Sequence, residues 1–166
     1  MKFPVTVACL SALLAPAAVL GDDRIKVPGD NPLYHCPGDI ARDEVQITSV
    51  NLTPNPPAMG RDLVINATGT VKTTIERNAK VHLVVKMGLL TLVNREEDLC
   101  DQVRHVDLEC PIKNGTMNIV KTVSLPGHIP PGPFTVEANA RTADDKPITC
   151  LQGNVVLENS FFNIEL

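Results

Sequence analysis

The sequence predicts an all-β protein, a two-sheet antiparallel β-sandwich, on three observations. Six or seven segments of strand length carry alternating or continuous apolar residues. Between neighbouring segments stand turn-forming clusters, in a chain that holds 14 prolines and 10 glycines. No segment combines helical periodicity with helix caps. Runs of short strands separated by such turns are typical of a sandwich.

The strand candidates follow one another along the chain after an irregular lead at 22–43. The first contains an alternation that shifts by one residue, from Val45 and Ile47 to Val50 and Leu52, which predicts a β-bulge. The second predicted strand, 61–72, alternates apolar and polar residues most clearly. The predicted strands are 44–52, 61–72, 81–93, 116–125, 134–142 and 148–157.

The stretch 81–93 (VHLVVKMGLLTLV) is the most apolar part of the chain beyond its first twenty residues. We expect one long strand, because β-branched residues are frequent and helix caps are absent. A buried helix is the competing interpretation. One face is continuously apolar, and its part from Val81 to Met87 is expected to build the core. The other face becomes apolar past Gly88, at Leu90 and Leu92. This surplus suggests a cavity that is open at one end.

The first 21 residues have the pattern of a secretory signal peptide. Lys2 precedes an apolar run that ends in small residues, and cleavage is expected after Gly21. The remaining residues, 22–166, suit one domain with one core. Loss of Lys2 changes the net charge from -4 to -5. An acidic chain without a basic cluster is a poor candidate for nucleic-acid binding.

Four cysteines remain after the signal peptide, which predicts two disulfides in an exported protein. Three pairings are possible. The nested one, Cys36–Cys150 with Cys100–Cys110, is favoured because its inner pair closes a short loop, while the crossed pairings stay open. A zinc site would require close cysteine pairs such as C-x-x-C, and the sequence has none, so no metal is expected.

Three sequons predict glycosylation at Asn51, Asn66 and Asn114. The side chains that could perform catalysis are scattered. The four histidines are isolated in the sequence and are expected to be solvated, and adjacent carboxylates in turns diverge. We therefore predict no enzyme activity and no cofactor, which leaves a binding module.

Several segments in a fixed order resemble the MD-2-related lipid-recognition (ML) family. They are TPNPP at 53–57, LVINATGTV at 63–71, VHLVVKMGLLTLV at 81–93, the DLC…DLECPI loop at 98–112 and FTVEANARTADDKPITC at 134–150. Within that family the chain is similar to the fungal phosphatidylglycerol/phosphatidylinositol transfer proteins, relatives of the small luminal Niemann-Pick type C sterol carrier. Many members have a third disulfide after the first strand, whereas 53–58 contains no cysteine here.

The resemblance implies an immunoglobulin-like sandwich with a lipid cavity between its sheets, and it supports the nested disulfides. It also implies a monomeric carrier of phospholipid between membranes, making transient membrane contact, in the vacuolar lumen or secreted. The alternatives are a sterol carrier of the secretory or vacuolar lumen and a secreted protein-recognition module. The residues expected to line the pocket are Leu89, Leu90, Leu92, Leu125, Ile129, Phe134, Val136 and Leu151.

Overall fold

The computed structural model describes residues 24–158, so the predicted signal peptide and the apolar end at Phe161 and Phe162 lie outside the described residues. Eight strands, one short α-helix and two 3-10 turns make up this part. No helix within 24–158 has the length and hydropathy needed to cross a bilayer. The elements are β1 (Leu33–His35), β2 (Val45–Thr53), β3 (Asp62–Val71), β4 (Lys80–Met87), β5 (Leu90–Asp98), α1 (Leu99–Val103), β6 (Gly115–Ser124), β7 (Gly132–Arg141) and β8 (Pro147–Leu157).

The strands form two antiparallel sheets of unequal width, which confirms the predicted sandwich. The wide sheet has the order β1-β8-β7-β4-β5, and the narrow sheet has the order β2-β3-β6. At one edge β2 lies against β8, where the Glu44 amide donates to the Pro147 carbonyl over 3.0 Å. Three strands cannot cover five, so the inner face of the wide sheet extends beyond the narrow sheet on the side of β4 and β5.

The narrow sheet follows the sequence prediction closely. The pairing of β2 with β3 shifts register between Ile47 and Ser49, at the predicted bulge. In β3, the apolar face Leu63 to Val71 points inward, and Asn66 and Thr70 are exposed. The bulge keeps Val45, Ile47, Val50 and Leu52 of β2 on the same inner surface, although their spacing changes parity.

The predicted single strand 81–93 is wrong. The chain reverses at Gly88 and Leu89, and the two halves pair as the hairpin of β4 and β5, with Met87 opposite Leu90. Gly88 has a φ of +57°, a conformation that glycine adopts without steric cost in the first loop position of a tight hairpin. The turn lacks polar residues, so the apolar pattern continues through it and conceals it.

Two further segments differ from the prediction. The lead at 22–43 is not wholly irregular, because β1 pairs with β8 and Asn31 anchors it through a 2.7 Å hydrogen bond to the Val50 carbonyl. The disulfide loop contains α1, whose N-terminus is capped by the Asp98 side chain, which accepts from the Cys100 amide over 2.7 Å. A helix of five residues is too short to produce a periodic pattern in the sequence.

Both nested disulfides are present. Cys36 and Cys150 join β1 to β8, and Cys100 and Cys110 close the loop around α1. The outer disulfide spans 114 residues of sequence and the inner one spans 10.

The core consists of two apolar clusters with a less filled region beside them. One cluster lies near α1 and includes Val45, Val71 and Ile148, and the other lies under the lead and is centred on Val27 and Val50. The inner face of β4 was expected to build the core. Its side chains are instead only half-buried, because the narrow sheet ends at β6 and does not reach over them: Val81, Leu83, Val85 and Met87.

Gly69 lies where β3 passes the bulge of β2. A Cβ atom at this position would lie 2.8 Å from the Gln46 carbonyl oxygen. We expect Gly69→Ala to lower the free energy of unfolding by about 1–3 kcal/mol, since backbone must move to relieve the contact. Urea denaturation measures the change. Gly127→Ala is the control, because its Cβ would meet nothing closer than 3.7 Å, and an equal loss in both variants would contradict the prediction.

Candidate functional site: an apolar cavity between the sheets

A cavity of about 360 Å³ lies between the two sheets and is partly enclosed. Among residues 24–158, its wall contains no charged residue, and threonine supplies its only polar side chains. The cavity is therefore suited to hydrocarbon rather than to a polar ligand. The lining residues are Leu33, Val45, Ile47, Val50, Leu52, Ile65, Ala67, Thr68, Gly69, Val71, Ile75, Leu99, Val103, Val106, Leu108, Ile112, Met117, Ile119, Ala140, Ile148, Thr149 and Leu151.

The narrow sheet and the disulfide loop form most of the cavity wall. Inward residues of β2, β3 and β6 form one side, because each strand turns alternate side chains to the interior. Four side chains from α1 and the loop after it, Leu99, Val103, Val106 and Leu108, form the end wall. The Cys100–Cys110 disulfide holds that loop in place. Inner residues of β1, β7 and β8 form the opposite side.

Of the eight residues expected to line the pocket, the structure places only Leu151 in the wall of this cavity. Leu89 is fully exposed at the hairpin turn, and Leu90 and Leu92 are 57% and 45% exposed on β5. They lie outside the cavity because the chain turns at Gly88, so that the apolar surplus forms the hairpin end instead of an inner wall.

The other four expected lining residues also lie outside the cavity wall. Phe134 is buried, and Val136 and Ile129 are half-buried. Leu125 packs against the apolar cluster around Val27 and Val50. These residues belong to the half of the sandwich nearest the β4–β5 turn, whereas the cavity extends toward α1.

Sequence reasoning missed most of the wall. The inward residues of β2, β3 and β6 follow from alternation in the sequence, but alternation does not show that they border a cavity. The apolar residues of the disulfide loop were overlooked among its charges. The available signal was weak: Leu99, directly before Cys100, and Val103 and Val106 within the loop recur at helical spacing, but over only about two turns.

Two polar atoms near the cavity are buried without a hydrogen-bond partner among the described residues, Thr149 Oγ1 and His35 Nδ1. Thr149 lines the cavity, and His35 is paired in register with Leu151 beside it. His35 is only 7% exposed, so the prediction that all four histidines are solvated is wrong. The alternation of β1 turns His35 inward, whereas its loop-like sequence context had suggested a surface position.

Asp43 is buried close to His35 and Lys72. Burial raises the pKa of its carboxyl above the usual 3.8, and the electrostatic influence of these two side chains opposes that rise. The folded protein therefore keeps this proton to a higher pH than the unfolded chain does. It follows that the contribution of Asp43 to stability falls as pH rises between the two pKa values.

We expect Asp43→Asn to be more stable than the wild-type protein at pH 7, because the amide carries no charge to desolvate. The difference should shrink at pH 4, where the wild-type carboxyl takes up a proton in the folded state. Urea midpoints of both proteins at the two pH values test this. A gain that is equal at both pH values, or that grows on acidification, would contradict the sign of the shift.

Two other features of the described residues, a surface depression and a group of potential metal ligands, are less suited to bind a ligand. A larger depression of about 580 Å³ lies beside the disulfide loop, but it is open to solvent and includes Glu109 and Lys113 in its lining. One group of potential metal ligands occurs in the described part of the chain, formed by Cys36, Glu137 and Cys150. The two sulfurs of that group are joined in a disulfide and are not available as thiolate ligands.

A two-sheet sandwich with an apolar cavity between its sheets has the architecture of a protein that binds an apolar ligand. Residues 30–157 match the ML domain, and the chain belongs to the ML domain family. It is similar to proteins named phosphatidylglycerol/phosphatidylinositol transfer protein in several fungi. The protein of Pyricularia oryzae is 50% identical over 139 residues, covering 84% of this chain and 78% of the relative. The protein of Aspergillus oryzae is 42% identical over 176 residues, covering 97% and 100%.

Two solved structures share the fold at low sequence identity. A Niemann-Pick type C2 protein from the Japanese carpenter ant superposes with a TM-score of 0.54 at 11% identity, over 73% of this chain and 98% of that one. Chicken MD-1, solved in complex with lipid IVa, superposes with a TM-score of 0.50 at 15% identity, over 80% and 96%. These similarities establish the architecture.

Proposed function

We propose that the protein binds the tail of a lipid between its sheets and carries phospholipid, of the phosphatidylglycerol or phosphatidylinositol type, between membranes. The observation that carries this proposal is the cavity of about 360 Å³, whose wall is apolar apart from two threonines. The names of the fungal relatives support the lipid class.

The energetics of such a carrier need no chemical step. Keeping one acyl chain out of water is worth about 0.8 kcal/mol per methylene, or on the order of 10 kcal/mol for a whole chain. Removing that chain from a bilayer costs about as much. Binding of the chain in an apolar cavity offsets this cost, so the free-energy change of moving a lipid from membrane to protein is close to zero. This supports a binding protein rather than an enzyme, without metal or cofactor.

The size of the cavity limits what it holds in the described conformation. A volume of about 360 Å³ is near the lower end of the roughly 300–1,000 Å³ of ligand pockets. We infer that it accepts one acyl chain. The second chain of a phospholipid would lie along the half-buried inner face of β4, where the narrow sheet does not cover Leu83, Val85 and Met87. The headgroup would then remain in water.

Transfer between vesicles tests the function. Donor vesicles carry a labelled phosphatidylglycerol, phosphatidylinositol, phosphatidylcholine or sterol, and acceptor vesicles carry none. We expect the purified protein to accelerate transfer of the two anionic phospholipids. Acceleration of sterol alone would reassign the protein as a sterol carrier, and no acceleration of any lipid would refute transfer.

We propose that the protein enters the secretory pathway and ends in the vacuolar lumen or outside the cell. The signal-peptide pattern of residues 1–21 and the two disulfides support that route. We also propose glycans at the three sequons, since Asn51, Asn66 and Asn114 are all exposed. The carrier is proposed to work as a monomer that touches membranes transiently.

A further inference from the structure

The end of the β4–β5 hairpin exposes three leucines, Leu89, Leu90 and Leu92, which we call the leucine tip. Leu89 is fully exposed, and the other two are 57% and 45% exposed. Leucines clustered on a protruding turn are unfavourable in water and mark a surface that meets an apolar partner. We propose that the leucine tip is the element by which the protein docks on a lipid bilayer, an inference that rests on the proposed function.

The charges around the tip fit a bilayer surface. Within 86–94 the one charged residue is Lys86. The loop that leads into β7 lies at the same end of the wide sheet, because Lys86 is paired with Thr135. Residues 125–136 of that loop and strand contain no aspartate, glutamate, lysine or arginine. These two stretches therefore contain no acidic side chain that the negatively charged lipids of a membrane would repel.

The opposite end of the same hairpin is acidic. The stretch 95–109, which covers the last four residues of β5, then α1 and the following loop, contains six carboxylates and two arginines. The hairpin therefore has an apolar end, whose one charged residue is Lys86, and an acidic end. This polarity orients the molecule with the leucine tip toward a membrane and the disulfide loop toward water.

An apolar path connects the tip to the lipid cavity. Met87 is paired with Leu90, and the inner face of β4 continues from it through Val85 and Leu83 to Val81. Val81 packs against the core cluster that shares Val45, Val71 and Ile148 with the cavity wall. These side chains are half-buried on the side where the narrow sheet is missing. A chain leaving the bilayer at the tip would thus reach the cavity without crossing water.

The test compares a tip variant with a matched control. Leu89→Ser with Leu90→Ser removes apolar surface from the tip, and Val120→Ser removes it from the outer face of β6, where Val120 is 61% exposed. Both variants should fold normally, since these side chains are exposed. Two measurements are made: co-sedimentation with vesicles of phosphatidylcholine and phosphatidylglycerol, and binding of a short-chain fluorescent phosphatidylglycerol supplied as monomer.

We expect the tip variant to lose at least about tenfold in vesicle partitioning, because two leucines no longer enter the bilayer. It should keep its affinity for the monomeric lipid, and the Val120→Ser control should keep both. Equal partitioning of the tip variant and wild-type protein would overturn the proposal. So would a parallel loss of monomer binding, which would place the leucines in the ligand site. Failure of wild-type protein to bind the monomer would instead refute the proposed function.

Discussion

Ala67→Trp should eliminate lipid uptake while the protein remains folded. Ala67 is a half-buried residue of β3 that lines the cavity, so an indole there occupies space that an acyl chain would use. Displacement of only two methylenes from the cavity removes about 1.6 kcal/mol of binding free energy, which is more than a tenfold loss of affinity. Because the indole enters existing space, the stability cost should stay at or below the roughly 1–3 kcal/mol of an overpacked core.

The natural chain contains no tryptophan, so the new side chain reports its own position. We expect blue-shifted emission from Ala67→Trp, as for an indole in an apolar environment. Thr70→Trp is the matched control, because Thr70 lies on the same strand and is exposed. It should emit as a solvated indole and bind lipid normally. A folded Ala67→Trp protein with blue-shifted emission and unchanged lipid stoichiometry would mean that the cavity is not the binding site.

Removal of the outer disulfide should have the largest effect on stability. Cys36 and Cys150 are 114 residues apart in sequence, and cross-linking a loop of that length restricts the unfolded chain by about 5 kcal/mol. That value is comparable with the whole stability of many domains, about 5–15 kcal/mol. The same disulfide holds β1 against the edge of the wide sheet, where the Cys36 amide donates to the Cys150 carbonyl.

The inner disulfide supplies the comparison. Cys100 and Cys110 are 10 residues apart, which corresponds to about 3 kcal/mol. We expect the double alanine variant at Cys36 and Cys150 to unfold at clearly lower urea concentration than the double alanine variant at Cys100 and Cys110. An outer variant at least as stable as the inner one would show that loop entropy does not dominate here. The inner variant should instead lose lipid affinity, since α1 forms the end wall of the cavity.

The predictable strands are those with one face buried in the core and the other face exposed to solvent. β3 alternates over its whole length, so its limits and its inward residues follow from the sequence. The bulge in β2 was visible because Val45 and Ile47 change parity with Val50 and Leu52. The hairpin turn at Gly88 was hidden because apolar residues continue on both sides of it, whereas most tight turns carry polar residues.

The candidate site was less predictable than the fold, for a geometric reason. Inward alternation shows that Ile65 and Ile119 face the interior, but it does not show whether the opposite sheet closes over them. That depends on strand order, and in the part of the chain that the structure describes the narrow sheet has three strands. Leu90 and Leu92 form an apolar surplus in the sequence, but whether they line a pocket or end a hairpin depends on the turn at Gly88. A single reversal of the chain separates these two arrangements.

Native mass spectrometry of protein purified from its own host tests whether the cavity holds a lipid. We expect a mass that exceeds that of the folded, disulfide-bonded chain by one phospholipid, released on denaturation and identifiable as an anionic lipid. The Ala67→Trp protein from the same host should lack that added mass. Wild-type protein that is isolated without lipid, and that stays empty after incubation with phosphatidylglycerol and phosphatidylinositol vesicles, would show that the protein is not a phospholipid carrier.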